Sequence, residues 1–159
     1  MGLDATVYCN CFETGKLREQ PNAGWEVYVD SDGSVACETQ DLESAMAFDQ
    51  WLLHRACVHA NGVLMHYRIG NIALVGSIRG ELEREARLFP FLLDKVVYSG
   101  THCGDFISPE DFPVLRAELV RLKTFISSDK ETAEYVAGFR TQMIALLEAA
   151  EAVSKPISF

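Results

Sequence analysis

The chain has 159 residues, 48% of them hydrophobic and 23% charged, with a mean hydropathy of +0.04. That length can hold one hydrophobic core, and the apolar content excludes a mostly disordered chain. Acidic side chains number 23 against 14 basic ones, a formal net charge of −9 that argues against nucleic acid or an anionic membrane as main partner.

Leu3 to Phe12 alternates as a strand does, with Leu3, Ala5, Val7, Cys9 and Cys11 on one face. The stretch 13–24 reads as a loop, punctuated by Gly15, Pro21, Asn22 and Gly24. Trp25 to Cys37 reads as a hairpin whose turn, Asp30-Ser31-Asp32-Gly33-Ser34, admits two registers. A two-residue loop pairs Val29 with Ala36 and splits the apolar residues between faces. A three-residue loop with Gly33 at positive φ pairs Val29 with Val35 and Val27 with Cys37, and keeps them together. The second register is preferred. The same run resembles the start of a calcium loop but lacks the acid at its far end, so it reads as a turn.

Asp41 is a natural N-cap for a helix over 42–58. At 100° per residue its apolar arc is Leu42, Ala45, Met46, Leu52, Leu53, Ala56 and Cys57. Asp49 then points into the arc and Trp51 away from it. A carboxylate there needs a partner such as Arg55, Arg68 or Arg79, or else is a general acid or base of raised pKa. Trp51 is the interface candidate, an aromatic anchor facing outward. Asn61-Gly62 breaks the chain before 63–69, an apolar stretch of undetermined type. A second helix over 72–88 carries the stripe Ile72, Val75, Ile78, Leu82, Ala86 and Phe89, and Pro90 ends it. A strand is expected at 93–98 from Val96, Val97 and Tyr98. Ser108-Pro109-Glu110-Asp111 starts a helix to about 125 that buries Phe112, Leu115, Leu119, Leu122 and Ile126. Ser127 to Asp129 caps a last helix to 153, striped by Tyr135, Phe139, Met143, Leu146, Leu147, Ala150 and Val153. The expected architecture is a single α+β domain over 1–159. A small antiparallel sheet (first strand, hairpin and the 93–98 strand) packs on about four helices.

Five cysteines without an export signal fit reduced thiols in the cytoplasm, and no apolar run is long enough to span a membrane. A metal site could draw on Cys9, Cys11, His54 and Cys57, with His59, His66, His102 and Cys103 as further donors. Paired C-x-x-C or H-x-x-x-H spacing is missing, and the thiols fall on core faces, so the expectation is inert cysteines and no cofactor. The loop Thr101-His102-Cys103-Gly104-Asp105 joins a strand to a helix start, where ligand groups often sit. A catalytic constellation would gather Asp49, His102, Cys103 and Asp105; the plainer expectation is a turn fixed by side-chain hydrogen bonds. No phosphate loop, nucleophile elbow or zinc-protease motif is present.

The Met1-Gly2-Leu3-Asp4 opening with Cys9-x-Cys11, Arg68-x-Gly70-Asn71 and the run from Tyr98 to Asp105 resemble a group of small bacterial proteins. Some small acidic bacterial proteins of this sort are immunity proteins, which bind and neutralise a toxin. The resemblance implies a bacterial binding protein and assigns no site residue. The leading expectation is therefore a non-enzymatic cytoplasmic protein that binds another, basic protein, as an immunity-type inhibitor does. The alternative is a small enzyme or ligand- or metal-binding protein using the 101–105 loop and Asp49; a homo-oligomeric scaffold is a third reading.

Overall fold

The computed structural model describes residues 2–39 and 41–159; Met1, part of the opening segment quoted above, and Gln40 lie outside them. Alternation makes the first strand, β1 (Gly2–Tyr8), and buries Leu3, Ala5 and Val7 completely. A hairpin follows, β2 (Glu26–Val29) and β3 (Val35–Glu38), then α1 (Leu42–His54), β4 (Val63–Asn71) and α2 (Ile72–Glu83). The rest of the chain contributes β5 (Phe106–Ile107), α3 (Phe112–Arg121), α4 (Lys130–Val153) and β6 (Ile157–Ser158).

The fold is α+β. An antiparallel four-stranded sheet runs β4-β1-β6-β5, and the hairpin forms a separate two-stranded sheet. The undetermined 63–69 stretch is thus the long partner of β1, paired from Gly2–Asn71 to Tyr8–Val63. Helices α2 and α4 pack on β1 and β4, and α3 packs on α4. The α4 stripe is read correctly at Phe139, Met143, Leu146, Leu147 and Ala150, all buried; Val136 joins them and Tyr135 is exposed. Each such large apolar side chain contributes roughly 1.5–3 kcal/mol on burial. Asp129 accepts the Thr132 N–H to start α4, and Ser154, at φ 54°, ends it.

Three expectations need correction. Residues 93–98 are not a strand: Leu92–Val96 is a π-helical turn. Its leading amides, Phe91 and Leu92 N–H, each donate at 2.9 Å to the buried carboxylate of Glu118 on α3. That capping, with Leu92, Val96 and Val97 all in the core, overrides the β preference of the valines. Second, α1 is shorter than expected and turned the other way. Its buried face carries Phe48 and Trp51, while Leu42 and Met46 are 76% and 60% exposed. Asp49 lies in solvent and, among the described residues, has no ion pair; Arg55 and Arg79 pair with Glu19 and Glu83 instead. Trp51 is no outward anchor. It is 1% exposed, meets Trp25 edge to face and Phe48 at a tilt, with ring centroids 6.0 and 5.7 Å away, and donates its indole N–H to Glu19 O. Both faces of α1 are apolar, and the face with the larger rings is the one covered by the hairpin and the 13–24 loop. Third, α2 stops at Glu83 with a 3₁₀ turn at Ala86–Leu88, and Ile126 is 82% exposed beyond α3.

The hairpin adopts the preferred register, Val29 opposite Val35 and Val27 opposite Cys37, with Gly33 at φ 89°. It is fastened to the body by Lys155, whose buried ammonium donates to Gly33 O at 3.0 Å and pairs with Glu13 at 2.5 Å. A Cβ at Gly33 would meet Pro156 at 3.0 Å, so the position needs glycine for space as well as for φ. Among the described residues, no helix is long and apolar enough to cross a membrane.

Candidate metal centre

Cys9 and Cys11 follow the end of β1, Cys11 at the start of a turn over residues 11–15, and their thiols pack in one buried cluster with Cys57. Two backbone bonds fix that end: Cys9 N–H donates to Gly62 O at 2.7 Å and Lys16 N–H to Cys11 O at 2.8 Å. The second pair comes from the connection between α1 and β4. Past the helix the chain bends, points Cys57 and His59 inward, and leaves Val58 exposed between them. Asn61 and Gly62, both in the left-handed region at φ 53° and 68°, then turn the chain into β4.

Cys9, Cys11, Cys57 and His59 place one donor atom each within 4.8 Å of all the others. Cys9 Sγ lies 3.8 Å from Cys57 Sγ, His59 Nδ1 3.5 Å from Cys11 Sγ and 3.8 Å from Cys57 Sγ. A tetrahedral zinc ion with Zn–S of about 2.3 Å and Zn–N of about 2.0–2.1 Å has S···S edges near 3.8 Å and S···N edges near 3.5 Å. The Cys9–Cys57 and Cys11–His59 separations equal those edges, and the Cys57–His59 separation is about 0.3 Å longer. The His59 N–H also donates to Cys57 Sγ at 3.4 Å, which draws the two residues together.

Burial first, and the neighbouring thiols with it, push the Cys9 thiol up to about 12, and burial also raises Cys11. A divalent cation among the four donors reverses that preference, since a coordinating thiol is deprotonated outright. Zinc with three thiolates and a neutral imidazole carries one net negative charge, and Lys16 brings a positive charge within reach of Cys11. Four protein donors fill a tetrahedron and leave no open position for substrate, the arrangement of structural zinc. The centre also sits at a joint. Leu64 packs on both the thiols and the main core, and Leu17 on both the thiols and the aromatic cluster of Phe48 and Trp51.

Of the metal donors expected from sequence, Cys9, Cys11 and Cys57 come together. His54 does not: it is exposed at the end of α1, and the imidazole of the group is that of His59. His66 is occupied elsewhere, 3.0 Å from Thr6 Oγ1.

The 101–105 loop is a different kind of cluster. His102 Nε2 donates to Val96 O at 2.8 Å and its Nδ1 lies 3.1 Å from the Asp105 carboxylate, while Tyr98 stacks on the ring at 4.4 Å and donates its hydroxyl to Asp105. That hydroxyl bond holds Asp105 below the usual carboxylate range and pushes the Tyr98 phenol up to about 12. Both imidazole nitrogens are therefore engaged in fixing the turn, and neither is free for a substrate proton. Cys103 is exposed beside them. Among the described residues, Asp49 shares no hydrogen bond or ion pair with His102, Cys103 or Asp105, so the four-residue catalytic constellation is not assembled. Comparisons with protein-family models, curated proteins and solved structures found no match to this chain.

Proposed function

We propose that this chain is a non-enzymatic, zinc-binding protein that acts by binding another protein. Zn²⁺ held by Cys9, Cys11, Cys57 and His59 joins the main core to the aromatic cluster under the hairpin. The observation that carries the zinc reading is the convergence of three sulfurs and one imidazole nitrogen within 4.8 Å of one another, at separations of 3.5–3.8 Å for three of the pairs. Soft donors of this kind select zinc over calcium or magnesium. A closed centre does no chemistry on a substrate, and the engaged nitrogens of His102 remove the other acid–base candidate. Protein binding follows from the acidic surplus and from the resemblance to small bacterial proteins; an immunity-type inhibitor of a basic toxin in the bacterial cytoplasm is the specific form.

Metal content tests the zinc reading. Protein purified under reducing conditions should carry about one zinc per chain by elemental analysis, as one four-ligand site requires. Cobalt substitution should give the intense visible bands of thiolate-ligated tetrahedral Co²⁺. His59→Ala should abolish them and His54→Ala should leave them intact. Reduced protein that takes up neither metal after reconstitution would refute the reading.

A further inference from the structure

The misjudged face of α1 leaves a surface that the fold does not use. At 100° per residue, Leu42, Met46 and Leu53 lie within about 40° of one another, on the side of α1 away from Phe48 and Trp51. Leu42 and Met46 are the most exposed large apolar residues of that helix, and Leu53 is half-buried. The stripe spans about 16 Å, three helical turns. Carboxylates border it. Glu43 and Asp49 flank it on the helix, both exposed and, among the described residues, in no ion pair. On the other, hairpin side of the start of α1, a cavity of about 390 Å³ is lined by Asp41, Glu26 and Glu38, with Trp25 in its wall, and adds to the negative charge of this lobe. Glu26 and Glu38 stand directly opposite in the hairpin register. Like charges in that position weaken a two-stranded sheet, and no described cation pairs with either.

We infer that this face of α1 is a docking surface for a basic amphipathic helix of a partner protein. The inference rests on the protein-binding reading above and supplies its surface and partner chemistry. A helix laid along α1 would cover Leu42, Met46 and Leu53 with its own apolar row. Its flanking Lys or Arg residues would meet Glu43 and Asp49, which have no ion pair among the described residues. Charge complementarity selects this occupant. An anionic lipid surface would be repelled, and a second copy docking face to face would set like charges against each other.

The probe is a labelled synthetic amphipathic helix with one row of Leu flanked by Lys; its counterpart with Glu in place of Lys is the control. Saturable binding of the Lys peptide alone, weakening with salt and shifting the amide resonances of α1, is the expected result. Leu42→Ser with Met46→Ser should weaken it about tenfold. Glu43→Lys with Asp49→Lys should do the same at low salt, whereas the charge-matched pair Glu134→Lys with Glu148→Lys on α4 should change little. Equal weakening by both charge pairs, shifts that map away from α1, or a concentration-dependent dimer lost in the serine variant would overturn the inference. Zinc content of every variant is measured alongside. Full zinc with no peptide binding rejects the docking surface alone; absent zinc with α1-specific binding rejects the metal centre alone.

Discussion

Metal removal gives the sharpest test of how the centre contributes to the fold. Cys9 and Cys57 are 48 residues apart in sequence, and the segment between them contains the 13–24 loop, the hairpin and α1. A cross-link closing a loop of that length removes chain entropy worth about 4 kcal/mol at 25 °C. In a chain of this size each kcal/mol moves Tm by about 2–4 °C, so stripping zinc should lower Tm by about 8–16 °C. Thermal unfolding of reduced protein with stoichiometric zinc, and again with a chelator, measures the shift. The same shift should be lost in Cys9→Ser with Cys11→Ser. Amide exchange should show where stability is lost: the 10–24 loop, hairpin and α1 lose protection, while β1 paired with β4 and the α4 core keep theirs. A zinc effect below about 2 °C, or a uniform loss of protection across the sheet, would refute the role of the metal as a joint.

Other residues make independent predictions. Glu118→Ala strands the buried Leu92 N–H and the part-buried Phe91 N–H, and should cost about 3 kcal/mol in denaturant unfolding; a cost under about 1 kcal/mol contradicts the capping account. Trp51→Ala should cost about 3–5 kcal/mol, while Asp49→Ala should stay within about 0.5 kcal/mol, the reverse of what a buried carboxylate and an exposed tryptophan would give. Glu81 accepts from the Ser128 hydroxyl and N–H and from Arg84, which holds its carboxyl below the usual value of 4.5. The folded state then binds fewer protons, so the stability advantage over Glu81→Gln is full above about pH 4.5 and fades as pH falls further. An advantage that grows on acidification, in paired unfolding curves, contradicts that sign.

What the sequence makes legible follows the range of the interactions that decide it. β1 and α4 each have one apolar face, so periodicity alone reveals what they bury. The hairpin register follows from Gly33 and from keeping the valines on one side, both local facts. Residues 93–98 fail because their conformation is set by Glu118, 26 residues further along the chain from Leu92. The phase of α1 fails because it carries two apolar faces, and only the placement of Trp25 and the 13–24 loop chooses between them. No single window contains that choice.

The metal centre divides the same way. Period-two spacing identifies Cys9 and Cys11 as neighbours, but their partners depend on where α1 ends. If the helix continued to 58, His54 and Cys57 would lie one turn apart and offer the second pair of donors. The helix ends at His54, so helical spacing no longer applies beyond it, and the inward residues become Cys57 and His59 on either side of exposed Val58. Both halves of the centre then follow one rule: two donors separated by a single residue, each pair on bent or extended backbone that points both inward. A C-x-C and a C-x-H so placed can form one tetrahedron only if the fold brings the end of β1 against the α1–β4 connection. Pairing β1 with β4 does this, because the Cys9 amide is bound to Gly62, three residues after His59. The strand pairing of the main core therefore positions the donors, and a metal held by them would in turn fix the lobe that carries α1.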